Sequence, residues 1–164
     1  MKVIYLAGGC FWGVQKYLNQ FKGVTHTVVG YANGHTVNPT YQDVKSQSSG
    51  HSETVKVEYD ENILTLEKLL NNFYKVIDPT SLNKQGEDEG ISYRTGIYYV
   101  DEEDKEVINK VTSKVQDKYD KKLVIEICPL DNFYTAEEYH QNYLDKNPTG
   151  YCHIPLSFFH MEDE

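Results

Sequence analysis

The chain changes its hydrophobic period at one place near its start. Val3-Ile4-Tyr5-Leu6 is an unbroken β-type run, and Val14, Tyr17, Leu18 and Phe21 recur at helical spacing soon after. Between them lies Gly8-Gly9-Cys10-Phe11-Trp12-Gly13. A strand must end and a helix begin inside that stretch, and its glycines permit the positive φ and close backbone approach such a turn requires. Cys10 then sits at the first turn of a helix, where N–H groups are unpaired and the dipole is positive. A thiol there ionises more easily than a free one, whose pKa is about 8.5. On position alone, Cys10 reads either as a nucleophile walled by Phe11 and Trp12 or as a small buried apolar residue.

The spacing predicts strands over 2–7 and 24–31 flanking a helix over 11–20. A polar, Gly- and Asn-containing stretch at 32–51 follows. Glu53-Thr54-Val55-Lys56-Val57-Glu58-Tyr59 alternates as a half-buried strand. Thr65 caps a helix carrying Leu66, Leu69, Leu70, Phe73 and Ile77, which must stop by Asp78 because Pro79 follows. After polar loop at 81–92, a strand is expected over 94–100, a helix over 102–119 with Asp101 as its N-cap, a strand over 123–127 ended by Pro129, and helix over 136–145. The first six elements run β-α-β-β-α-β. That order predicts an α+β two-layer sandwich with a ferredoxin-like core, extended by a helix, a strand and an irregular C-terminal tail. A loop of about twenty residues inside a compact domain is functional if the assignment is right, so 32–51 is a candidate functional loop.

The chain has 164 residues, which suits one catalytic domain over 1–164, with the tail from about 146 mobile. Asp plus Glu number 25 against 16 Lys plus Arg, a net charge of −9 that argues against nucleic acid and anionic membranes as partners. Met1-Lys2-Val3-Ile4-Tyr5 enters a strand at once, with no leader-like apolar run and no membrane span. The expectation is a cytoplasmic protein that works as a monomer. Thiols are kept reduced in that compartment, and Cys10, Cys128 and Cys152 lack zinc or Cys-x-x-Cys spacing.

Cys152 lies in the turn-rich Asn147-Pro148-Thr149-Gly150-Tyr151-Cys152-His153, where it is either an idle exposed thiol or a resolving thiol that swings to Cys10. Cys128, at a strand end, reads as structural. Glu53 opens a strand directly after a polar loop; facing an aromatic pocket, its carboxyl would be raised by desolvation and could act as an acid near neutral pH. Asp88, between Gly86 and Gly90, is a loop acid with either a structural or a site role. Tyr41 and Tyr93 offer hydrogen-bonding tips on apolar bodies. The six His are scattered without metal spacing, so no metal is expected, and Gly8-Gly9 lacks the spacing of a phosphate-binding loop, so no nucleotide cofactor is expected either. A Cys–His hydrolase, a peroxidase and a non-catalytic binding module all remain compatible with the thiol at this stage.

Taken together, the motifs resemble the peptide methionine sulfoxide reductase A family. The resemblance rests on Gly9-Cys10-Phe11-Trp12-Gly13, Gly30-Tyr31, Asn38-Pro39-Thr40-Tyr41, Gly50-His51-Ser52-Glu53, Asp78-Pro79-Thr80, Gln85-Gly86-Glu87-Asp88, Tyr93-Arg94 and Ala136-Glu137-Glu138-Tyr139-His140-Gln141. It implies reduction of methionine-S-sulfoxide, free or in proteins, by a thiol cycle. Cys10 would be the nucleophile, Phe11 and Trp12 the wall for the S-methyl group, and protonated Glu53 the acid, helped by Tyr41 and Tyr93. Asp88 would belong to the substrate-binding polar shell. Cys152 would resolve the sulfenic acid on Cys10 as a disulfide, which thioredoxin or a similar dithiol would reduce. The chain departs from the family's common pattern at Lys45 and Gln15, and it lacks a second recycling Cys after Cys152.

Overall fold

A computed structural model describes residues 1–150 and 154–160. Its elements are β1 (Lys2–Gly8), α1 (Phe11–Asn19), β2 (Val24–Ala32), α2 (Tyr41–Lys45), β3 (Ser52–Tyr59), α3 (Leu66–Tyr74), β4 (Lys84–Gln85), β5 (Asp88–Glu89), β6 (Thr95–Tyr99), α4 (Asp104–Gln116), β7 (Glu126–Pro129), β8 (Phe133–Thr135) and α5 (Tyr143–Lys146). Six strands form one sheet in the order β7-β6-β1-β3-β2-β8. Its middle, β6-β1-β3-β2, is wholly antiparallel and has the expected ferredoxin-like order.

Strand alternation decides which face is covered. Ile4, Leu6, Val29, Val55, Val57 and Ile97 share the main core with Val14 and Leu18 of α1, Leu69 and Phe73 of α3, and Ile108 and Val111 of α4. Tyr5, Ala7, Ala32 and Tyr98 point the other way and form a smaller cluster. α1 and α3 have nine residues each, below the roughly 12–15 that an isolated helix needs in water. Their helicity therefore depends on burying these apolar stripes.

Several segments differ from the sequence reading, each for a traceable reason. The loop at 32–51 contains α2, nucleated by a capping box: Asp43 N–H donates to Thr40 Oγ1 at 3.2 Å and Thr40 N–H to Asp43 Oδ2 at 2.9 Å. The expected strand at 123–127 is displaced to β7. Leu123 N–H donates to Gln116 Oε1 and Val124 N–H to Pro79 O, so that backbone is taken before the sheet begins. β7 runs parallel to β6 at the sheet edge and includes Pro129, whose missing N–H matters little there. α4 starts at Asp104, because Asp101 caps a preceding turn through Glu103 N–H. α3 ends at Tyr74, three residues before Ile77.

The helix expected at 136–145 does not form as one piece. It is a 3-10 turn, Glu138–His140, then α5, with Asn142 between them at φ +55°. β8, unforeseen in the sequence, pairs with β2 just before this segment. The Gln141 side chain then continues the pairing. Its Oε1 accepts from Val29 N–H and its Nε2 donates to Val29 O, both at 3.0 Å, as a neighbouring peptide group would. Further on, Phe158 and Phe159 pack against the core, and Gln20 Nε2 donates to Phe158 O.

Gly30 lies where β8 crosses β2. A Cβ there would stand 2.4 Å from the Phe133 ring and 2.5 Å from Tyr134 O. Gly30→Ala is therefore expected to lower stability by about 1–3 kcal/mol through overpacking, read as a lower urea midpoint. An unchanged midpoint would show that β8 gives way freely.

Candidate active site

Gly9 turns the chain out of β1 with φ +90°, a conformation open to glycine at little strain. Cys10 follows as the N-cap residue of α1, 7% exposed and in extended backbone geometry. The amino end of this helix favours negative charge. One of its first N–H groups, that of Phe11, donates 3.1 Å to Glu53 Oε1. Glu53 reaches it from β3, where it lies opposite Tyr31 of β2 and on the same face as the core residues Val55 and Val57. Its side chain is out of water at 2% exposure. Burial pushes the Glu53 carboxyl up to about 8; the Phe11 N–H pulls it back and the nearby Asp88 charge adds to the rise.

Three more expected residues gather at this point. Tyr41 opens α2 and Tyr93 ends a 3-10 turn, Ile91–Tyr93. Burial pushes both hydroxyls well above the ordinary phenol value, and the charge of Glu53 adds to this in each. Asp88 lies on β5, held between Gly86 and Gly90, both at positive φ. Its Oδ2 is buried without a hydrogen-bond partner among the described residues, and burial raises its carboxyl too. Cys10, Glu53, Tyr41, Tyr93 and Asp88 thus form one electrostatically coupled group. Trp12 packs beside them with its ring stacked on Tyr143, centroids 3.8 Å apart. Cys152 lies outside the described residues.

A second ring of residues positions the first, and sequence reasoning gave them no role. Glu137 bridges two elements. Its Oε1 accepts from Tyr31 OH at 2.7 Å and its Oε2 from Tyr41 N–H at 2.9 Å. Burial alone would raise the Glu137 carboxyl, but these bonds outweigh it and hold it below its ordinary range. His140 is fully buried among the rings of Phe11, Trp12 and Tyr41. Gln47 exchanges two 2.9 Å bonds with Ser92, tying the stretch after α2 to the turn that carries Tyr93. His51 Nδ1 accepts from Gly34 N–H and its Nε2 meets Thr36 O, which closes the 32–51 stretch on itself. The signal for Glu137, His140 and His51 was their place inside the motifs that carry the family resemblance; Gln47 lies in none of them.

Cys128 is half-buried on β7, with burial pushing its thiol up and Asn33 Nδ2 3.6 Å from its sulfur. Among the described residues, no group of three or more His, Cys, Asp or Glu could hold a metal ion. Among the same residues, no helix is long and apolar enough to cross a membrane. A surface cleft lined by Tyr74, Lys75 and Lys118 lies between α3 and the end of α4, on helices that carry none of the site residues Cys10, Tyr41, Glu53, Asp88 and Tyr93.

The sequence matches a family model described as peptide methionine sulfoxide reductase, over residues 2–163. The chain belongs to that family. As a member it is an oxidoreductase, a peptide-methionine (S)-S-oxide reductase. It is 62% identical over 155 residues to the peptide methionine sulfoxide reductase MsrA of Clostridium acetobutylicum, covering 94% of this chain and 96% of that protein. Mxr1 from Saccharomyces cerevisiae in reduced form superposes with a TM-score of 0.89 at 36% identity, covering 99% of this chain and 92% of that one. A structure of Mxr1 in complex with Trx2 matches at a TM-score of 0.63 and 28% identity, over 87% of this chain and 84% of that one.

The reductase fold carries Glu53 as a buried, largely protonated acid, and this has a thermodynamic signature. Its folded pKa of about 8 lies above the ordinary 4.5. Its contribution to stability is therefore intact below pH 4.5 and lost as pH rises from there through 8. Glu53→Gln, neutral throughout, should gain on the wild type by up to about 1.4 kcal/mol per pH unit in this window, measured by urea denaturation at several pH values. A constant gap would show that Glu53 ionises at its ordinary value.

Proposed function

We propose that this chain reduces methionine-S-sulfoxide, free or in exposed protein segments, through a sulfenic acid on Cys10. The observation that carries the reading is the buried Glu53 carboxyl, bonded to the N–H of the residue that follows Cys10. Sulfoxide oxygen is a poor leaving group until it is protonated, and a neutral carboxylic acid held dry beside the thiol supplies the proton. The Tyr41 and Tyr93 hydroxyls stay protonated and can donate hydrogen bonds to the same oxygen. Phe11 and Trp12 receive the S-methyl group, and Asp88 completes the polar shell.

In the first step the Cys10 sulfur attacks the sulfoxide sulfur and the oxygen is transferred. Methionine leaves and Cys10 becomes a sulfenic acid. The Cys152 thiol then displaces water from it and forms a Cys10–Cys152 disulfide. The tail beyond about 146 carries Cys152 to Cys10. An external dithiol takes over the disulfide by exchange. The relative's structure with Trx2 supports thioredoxin in that role. The net change is sulfoxide plus dithiol to methionine, disulfide and water. On this reading the protein is a cytoplasmic monomer that repairs oxidised methionine and needs no metal or organic cofactor.

An epimer-resolved assay with a dithiol, followed by mass analysis for the Cys10–Cys152 disulfide, tests the cycle. Cys10→Ser should abolish reduction. Cys152→Ser should keep one turnover and lose recycling by thioredoxin. Consumption of peroxide with methionine sulfoxide untouched would overturn the reading, as would binding of the sulfoxide without product. Glu53→Gln should slow reduction roughly thirty-fold or more, and the wild-type rate should fall as pH rises through about 8. An unchanged rate in Glu53→Gln would remove Glu53 from the acid role.

A further inference from the structure

His140 occupies a position that packing alone does not explain. Its ring is fully buried in the 3-10 turn Glu138–His140. Ring centroids of Tyr139, Tyr41, Phe11 and Trp12 lie 4.1, 4.4, 5.3 and 5.8 Å away. A phenylalanine would fill such an aromatic box without burying any polar atom. The imidazole buries two ring nitrogens, and among the described residues Nε2 has no hydrogen-bond partner. An unpartnered buried polar group costs about 1–3 kcal/mol, so the ring must provide something a phenyl cannot.

The other nitrogen shows what that is. Trp12 Nε1–H donates to His140 Nδ1 at 3.0 Å. An indole N–H can only donate, so Nδ1 must be the bare nitrogen and the ring proton must sit on Nε2. Tyr143 stacks on the indole at an interplanar angle of 12°, which fixes the ring plane but leaves rotation within that plane free. The bond to Nδ1 removes that freedom. We propose that His140 is a positioning residue: in its Nε2–H tautomer it accepts the indole proton and sets Trp12 at the angle that receives the substrate's methyl group. This rests on the proposed sulfoxide reductase cycle, in which Trp12 is part of the methyl wall.

The chain has a single tryptophan, so any indole signal reports on Trp12 alone. Two substitutions separate packing from hydrogen bonding. His140→Phe keeps an aromatic ring and removes the acceptor. His140→Asn loses the ring but puts an amide oxygen close to where Nδ1 was. Ultraviolet resonance Raman should find a hydrogen-bonded indole N–H in the wild type and in His140→Asn, and a free one in His140→Phe. The KM for methionine-S-sulfoxide should rise about five- to tenfold in His140→Phe with kcat within twofold, the pattern of lost uniform binding. His140→Asn should recover most of that loss.

A free indole N–H in the wild type would overturn the proposal without any variant having to fold. An unchanged KM in a folded His140→Phe would overturn it too. A wild type that does not reduce the sulfoxide would instead overturn the cycle on which the proposal rests, while the Raman signal still reads the Trp12–His140 bond.

Discussion

A carboxyl group withdrawn from water holds the site together. Glu53 sits in a row of core valines on β3, and the bond it accepts from the Phe11 N–H ties the middle of the sheet to the first turn of α1. The same bond places an acid one residue from the thiol. Burial fixes the protonation state of that acid, and the hydrogen bond fixes its place. Few other locations in an α+β sandwich would serve both ends, because a carboxyl nearer the rim would be solvated and ionised at neutral pH. Around this contact the remaining polar groups are arranged so that little charge is buried: the Tyr41 and Tyr93 hydroxyls stay neutral, and Asp88 is pushed toward its neutral form.

The segment over 136–146 does not add a layer to the sandwich. It acts as a strap. Gln141 completes hydrogen bonds on β2, Glu137 joins Tyr31 to Tyr41, and Asn142 N–H donates to the buried Gln15 on α1. These contacts run from one short segment to β2 and to α1 and α2, which present Trp12 and Tyr41. Segments remote in sequence therefore share the orientation of the aromatic wall, and the stretch that looked like a helix is instead shaped by the groups it must reach.

The middle of the sheet was legible because β3 keeps period two, β1 is an unbroken β-type run and the helices carry apolar stripes. In β3, parity alone puts Glu53 on the side of Val55, Val57 and Tyr59, so the inward-facing acid is already written in the alternation. Cys10 was legible from the change of period around Gly8-Gly9. What escaped was structure decided by side-chain-to-backbone bonds, which leave no period. Gln116 shifts a strand by taking Leu123 N–H, Gln141 stands in for a peptide group, and Thr40 with Asp43 starts a helix inside a polar stretch. His140 is the same kind of omission: its meaning lies in one bond to Trp12, over a separation of 128 positions. Cys152 and its neighbours lie outside the described residues.

The sheet's two borders have a bearing on how the molecule behaves in company. β7 has four residues and ends in Pro129, and β8 has three. Beyond β2's short partner, the Gln141 amide occupies the next hydrogen-bonding position. A foreign strand seeking to extend the sheet meets a proline on one margin and, on the other, a brief strand followed by a side chain already in place. Such margins are poor templates for edge-to-edge aggregation. For a protein whose proposed targets include methionine sulfoxide in exposed protein segments, this means that such segments can be visited at the thiol without being recruited into the sheet.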